Sequence, residues 1–218
     1  MRALSVTTRR WLLVALFLVV IVVGQATASA TAPSTFSATG RTIGAVGFSY
    51  LTGLRTFVAA TLWNRIEPLF HTYYENIPFE RQRFMMPTLR MVTWLDPQFV
   101  QAYSIASWVL FKSNKPATGI AIARDGLAHN PDSGLAHAAL AQLLFIEGFD
   151  KHRAELIALS RRIASSEVVW TDDEDEFEGL AVARDIFIKS GDAVRLNYVE
   201  TRLAELRASG AGQRPTEP

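Results

Sequence analysis

Two prolines, Pro97 and Pro131, stand 34 residues apart, one in Leu95-Asp96-Pro97-Gln98-Phe99 and the other in His129-Asn130-Pro131-Asp132-Ser133. Between them lie two apolar runs with helical spacing, separated by the polar break Lys112-Ser113-Asn114-Lys115-Pro116. The residue before a proline is pushed out of helical geometry, so each Asp-Pro or Asn-Pro step ends a helix. A unit of helix, turn and helix cannot bury both of its faces alone, and it needs similar neighbours stacked on it.

The flanking sequence supplies such neighbours. Upstream, Leu51, Leu54, Val58, Leu62, Ile66, Phe70 and Tyr74 recur at gaps of three or four, which predicts one apolar stripe down a helix over about 47–74. Pro68 falls inside that pattern and should kink or split it. A second helix is expected over about 79–95, with Pro87 as an irregularity. The pair between the two prolines is expected at 99–112 and 117–128, and Ala102, Ala106, Ala121, Ala123 and Gly126 are small enough to let paired helices approach closely. A third pair is read at 133–147 and 151–164, then a linker over 165–170, then a fourth pair at 172–190 and 192–208. The fourth pair is out of register and charge-rich, which suits a polar cap that closes a stack.

The unit ending at Pro131 resembles the tetratricopeptide repeat, whose period is 34 residues. With Pro131 as the closing proline, Tyr103, Ala106, Leu110, Gly119, Ala123 and Gly126 fall at signature positions. The next unit matches through Leu140, Ala141 and Leu144, and the preceding one mainly at its end. The order of features is also similar to that of bacterial tetratricopeptide proteins with one N-terminal hydrophobic segment and no established activity. In those proteins, Gly47-Phe48-Ser49-Tyr50, Leu62-Trp63-Asn64-Arg65 and Thr93-Trp94-Leu95-Asp96-Pro97 have close counterparts. The resemblance implies an all-α fold, a tetratricopeptide-like α-solenoid of about four helical hairpins behind an N-terminal hydrophobic helix. The implied organisation is a signal-anchor or signal peptide over 1–30, a flexible linker over 31–44, the repeat domain over 45–208 and a disordered tail over 209–218.

The N-terminal segment sets the expected location. Arg9 and Arg10 precede the run from Trp11 through Leu12, Leu16 and Val20 to Val23, thirteen apolar residues without a charge. As a helix they span about 20 Å, short of the roughly 30 Å hydrocarbon core, a length that suits a signal peptide. Ala26-Thr27-Ala28 and Ala28-Ser29-Ala30 are cleavage candidates, but Gly24 to Ala30 is only weakly polar and extends the helix toward a spanning length. The expectation is a single-pass cell-membrane protein with its repeats outside the cytoplasm. The alternative is a periplasmic or secreted protein after cleavage. Residues 25–40 are rich in Ala, Ser and Thr, as a tether is.

The resemblance also implies a binding groove, lined by the first helix of each unit. The groove positions are Glu67, Phe70, Tyr74 and Ile77, then Gln101, Ser104, Trp108 and Phe111, then Leu135, Ala138, Gln142 and Phe145. The lining is apolar and aromatic and fits an amphipathic helix or peptide of a protein partner. It carries no Lys, Arg or Asn to clamp a terminal carboxylate. Packing by the protein's own helices is the competing use of the same residues. The cluster Trp63, Arg65, His71, Tyr73 and Tyr74 is either an interface centre or ordinary packing, with Trp63 assigned to packing and Tyr73 to the surface.

Other chemistries find little support. The chain has no cysteine, so disulfides and thiolate chemistry are excluded. Its formal charge of +1 has no clustered basic face and argues against nucleic acid. The acidic run Asp172, Asp173, Glu174, Asp175, Glu176 and Glu178 lacks calcium-loop spacing, and Thr171 with Glu174 reads as a capping box. His71, His129, His137 and His152 show no metal-ligand spacing, although His129 and His137 flank one turn. No phosphate loop, dinucleotide fingerprint or nucleophile elbow occurs, so no enzyme, cofactor, metal or small-molecule substrate is expected. The expected function is a membrane-tethered scaffold or adaptor for protein–protein interaction in the cell envelope. The alternative is a structural or assembly subunit of a membrane complex, packed through its N-terminal helix.

Overall fold

The structure is a computed structural model that describes residues 53–66 and 84–212. The chain divides into two compact units, Met1–Val58 and Ala59–Pro218. The described residues are all-helical, and their one β feature is an isolated bridge between Ser133 and Val169. Residues 53–66 form α1. Then come α2 (Met85–Leu95), α3 (Val100–Lys112), α4 (Pro116–His129), α5 (Gly134–Gly148), α6 (Arg153–Ile163), α7 (Asp173–Ser190) and α8 (Ala193–Ser209).

Local chemistry sets the helix ends. Pro87 lies in the first turn of α2, where backbone N–H groups have no helical partner to lose, so it marks the start of a helix and does not disturb its interior. Pro116 opens α4 in the same way. Ser133 caps α5 by accepting from the Ala136 amide at 3.2 Å, and Asp192 caps α8 by accepting from the Arg195 amide at 3.2 Å. At α7 the expected capping box is displaced by one residue. Asp172, not Thr171, is the cap, and its carboxylate accepts from the Asp175 amide at 2.8 Å. Gly191, at φ 77°, ends α7, and the Asp192 amide reaches back to the Phe187 carbonyl at 3.2 Å.

Each helix from α2 to α8 packs on its successor within a pair or across to the next pair, and in addition α3 packs on α5 and α5 on α7. The first helices of three successive pairs thus form a continuous row. In α3 and α4 the approach is close enough to exclude a side chain. A methyl group at Gly119 would sit 2.5 Å from the Ser107 carbonyl oxygen, and one at Gly126 would sit 2.7 Å from Tyr103 Cβ. Ala102, Ala106 and Ala123 are buried, but Ala121 faces solvent, on the outer side of α4.

Two apolar cores result. The larger joins α4 to α8 through residues such as Leu140, Leu144, Leu156, Ile163, Leu180, Phe187 and Leu203. The smaller joins Ala59 and Ile66 to Met85, Leu89, Val92, Ala102, Ala106 and Val109. In α1 the buried face is Ala59 with Leu62, Trp63 and Ile66, whereas Leu54 and Val58 of the expected stripe are exposed. In α8 only Val199, Leu203 and Leu206 are buried, and its outer side carries charged residues together with exposed Val194 and Tyr198. The segment read from the sequence as a tail begins at 209. Ser209 ends α8, Ala211 is buried, and the Gly212 amide donates to Glu174 at 2.7 Å.

Candidate functional site: a groove along the row of first helices

The helical period places Gln101, Ser104, Trp108 and Phe111 on one face of α3, and Leu135, Ala138, Gln142 and Phe145 on the corresponding face of α5. Phe70, Tyr74, Glu67 and Ile77 lie outside the described residues, as do Trp11, Leu12, Leu16, Val20 and Val23. Among the described residues no helix is long and apolar enough to cross a membrane.

On α3 and α5 the candidate residues are neither fully buried nor free of the fold. Trp108, Phe111 and Phe145 are half-buried and rest against the larger core. Ala138 is buried, whereas Gln142 is exposed. Gln101 is half-buried and its amide donates to the Thr171 hydroxyl at 3.5 Å. Ser104 is half-buried, and its carbonyl accepts from the Ser107 hydroxyl at 2.7 Å. The Trp108 and Phe145 rings each support a cation. Lys112 Nζ lies 5.5 Å from the Trp108 ring centroid, and Lys189 Nζ lies 5.2 Å from that of Phe145.

Sequence reasoning stopped this surface at α5, but the structure adds α7. Thr171, Asp175, Glu178, Val182, Asp185 and Lys189 recur at gaps of three or four and share one face. Thr171 meets Gln101 of α3, and Lys189 meets Phe145 of α5, so both ends of this stripe border the groove. Val182 packs against the larger core between them. The 3.6-residue period within α7 was the available signal. The helix-capping pattern of the acidic run overlies that period and masks it.

That explanation holds for part of the run. Asp172 caps the helix, Glu174 accepts from Gly212, and Glu176 accepts two hydrogen bonds from Arg202 at 2.7 and 2.9 Å. Asp175 and Glu178 stand apart, because neither is in an ion pair among the described residues. Burial raises the Asp175 carboxyl above its usual range; Thr171 opposes this and the charges of Asp172 and Glu174 add to it. Glu178 is raised by burial first, then by Glu174, Asp175 and Asp172.

The histidines are engaged one by one. His129 Nδ1 lies 2.9 Å from the Asp125 carbonyl, and its ring stacks on Tyr103 at 6.1 Å. His137 is buried with Nδ1 2.8 Å from the Ser133 carbonyl, and His152 Nε2 lies 2.6 Å from Glu147. Among the described residues no group of three or more His, Asp or Glu is placed to hold a metal ion. Trp63 packs in the smaller core with its ring 5.0 Å from that of Phe99, while His71, Tyr73 and Tyr74 lie outside the described residues.

A separate cleft of about 1100 Å³ opens on the opposite face of α3, between α2 and α4. Met86, Arg90, Met91, Trp94, Ile122 and His129 are among the residues that line it. Comparison of the chain with protein-family models, curated proteins and solved structures finds no match.

Proposed function

We propose that this chain is an exported, membrane-tethered scaffold of the tetratricopeptide kind, which holds an amphipathic helix or peptide of another cell-envelope protein along α3, α5 and α7. It performs no catalytic step of its own. The observation that carries the reading is the half-burial of Trp108, Phe111 and Phe145 in a row of three successively packed helices. Each ring keeps one side on the core and leaves part of its surface for a ligand. Aromatic residues held in this way supply much of the energy of protein interfaces. The tether rests on the apolar segment from Trp11 to Val23 behind Arg9 and Arg10.

The test is site-specific photocrosslinking in native membranes, with a photoreactive residue in place of exposed Gln142. The expected result is one discrete crosslinked protein that is lost when Trp108→Asp is added and the helical circular dichroism is kept. Crosslinks confined to the chain itself would overturn the groove reading. Release of the uncleaved chain from membranes by alkaline washing would overturn the tether.

A further inference from the structure

The groove is electrically two-ended. Its first helices run side by side, so their N-terminal ends share one edge and their C-terminal ends the other. At the N-terminal edge Asp175 and Glu178 project from α7 without a cationic partner among the described residues. At the C-terminal edge Lys112 and Lys189 are exposed, each with its ammonium over a groove ring, Trp108 in one case and Phe145 in the other. Asp185 adds no free charge to the middle, because Arg184 pairs with it at 2.9 Å. The lining is Ala138, Val182, Trp108, Phe111 and Phe145, with the aromatic rings toward the basic edge.

We infer that the groove selects an amphipathic helix with a basic end and an acidic end, the basic end seated on Asp175 and Glu178 and the acidic end on Lys112 and Lys189. This inference rests on the groove reading above and adds the direction and the charge code of the ligand. Like charges at either edge are costly to a helix laid the wrong way, so charge decides orientation while the apolar and aromatic lining supplies contact area. Glu178 and Lys189 are eleven positions apart on α7, or about 16 Å of helix rise. A ligand lying parallel to α7, from one edge to the other, therefore needs its basic and acidic residues about three turns apart.

The test is a displayed library of 16-residue peptides with a fixed apolar helical stripe and randomised end positions. It is selected on the full chain in detergent and in parallel on the double variant Asp175→Lys, Glu178→Lys. Binders are counted only if they are lost on Trp108→Asp. The expected outcome on the natural chain is at least a threefold enrichment of Lys and Arg at one end and of Asp and Glu at the other. On the double variant the basic end should be replaced by Asp or Glu. Groove-dependent binders with no charge bias, or with the same bias on both proteins, would overturn this inference and leave the groove reading intact. A library that yields no Trp108-dependent binder would overturn both.

Discussion

The indole of Trp170 packs against the α-carbon of Gly179 so closely that a methyl group built there would lie 2.3 Å from the ring. The same ring covers Gly134, where a methyl group would lie 2.6 Å away. Trp170 ends the segment read from the sequence as a linker. That segment is instead tied down, because the Val169 amide donates to the Asp132 carbonyl at 2.7 Å and the Gly134 amide donates to the Val169 carbonyl at 2.9 Å. Trp170 thus joins the start of α5 to the start of α7, and the two helices present one surface.

Gly179→Ala forces either the ring or α7 to move. It should cost about 1–3 kcal/mol, the usual penalty for overpacking a filled contact. For a chain of this size that lowers the melting temperature by about 2–4 °C for each kcal/mol. Thermal unfolding followed by circular dichroism checks this. A variant as stable as the natural chain would show that the Trp170 contact is not tight.

Asn130 connects the turns of two successive units. Its side-chain amide donates to the Pro97 carbonyl at 3.0 Å and to the Gly126 carbonyl at 2.9 Å. Asn130→Asp has nearly the same shape but no side-chain N–H to donate, so the Pro97 carbonyl loses its donor while the Gly126 carbonyl keeps the Asn130 backbone amide at 3.0 Å. Both Asn130→Asp and Asn130→Ala should destabilise by about 1–3 kcal/mol, as for other half-buried groups left unsatisfied. Urea denaturation measures the loss, and an unchanged midpoint for Asn130→Asp would contradict it.

His137 predicts a dependence on pH. The Ser133 carbonyl can only accept, so Nδ1 carries the proton in the neutral ring. Burial holds the His137 pKa below the ordinary value; the Ser133 bond and Asp132 oppose this, and Arg162 adds to it. Below the ordinary histidine pKa of about 6.5, the unfolded chain therefore binds a proton that the folded protein refuses. Stability should fall as pH drops from about 6.5 toward the lower folded value, and level off below it. His137→Asn should flatten that slope in melting temperatures recorded between pH 8 and pH 5. Parallel curves for the two proteins would refute the assignment.

Gln142 separates binding from folding. Its side chain is exposed on α5 between buried neighbours. Gln142→Arg should change stability by no more than about 0.5 kcal/mol, as for other surface positions. It should nevertheless abolish capture of the partner by a photoreactive residue at Phe111. Capture that persists at full yield would place the working surface elsewhere.

Much of the helical framework was legible because its signals are local. Asp-Pro and Asn-Pro steps, apolar spacing of three and four, and Gly191 at a turn each act within a few residues. The structure moves these boundaries by only one or two positions from α3 onward. Signals that depend on a distant neighbour were misread. Thr171 looked like a cap, but Asp172 holds the Asp175 amide, and the Thr171 hydroxyl faces Gln101 across 70 positions of sequence. Leu54 and Val58 looked like core from their spacing, yet they are exposed. Ala121 looked like a packing residue from its size alone.

The sequence by itself determined that the described chain is helical and, from α3 onward, where its turns fall, because those properties follow from backbone preference and the 3.6-residue period. Only the tertiary structure decided that α7 continues the row of α3 and α5, and that Lys189 lies on the Phe145 ring. It also left Asp175 and Glu178 as carboxylates without an ion-pair partner among the described residues. These facts concern side chains that are far apart in the chain and meet only through packing. The free energy that places them comes from burying faces of different helices against one another, and no local pattern encodes which faces will meet.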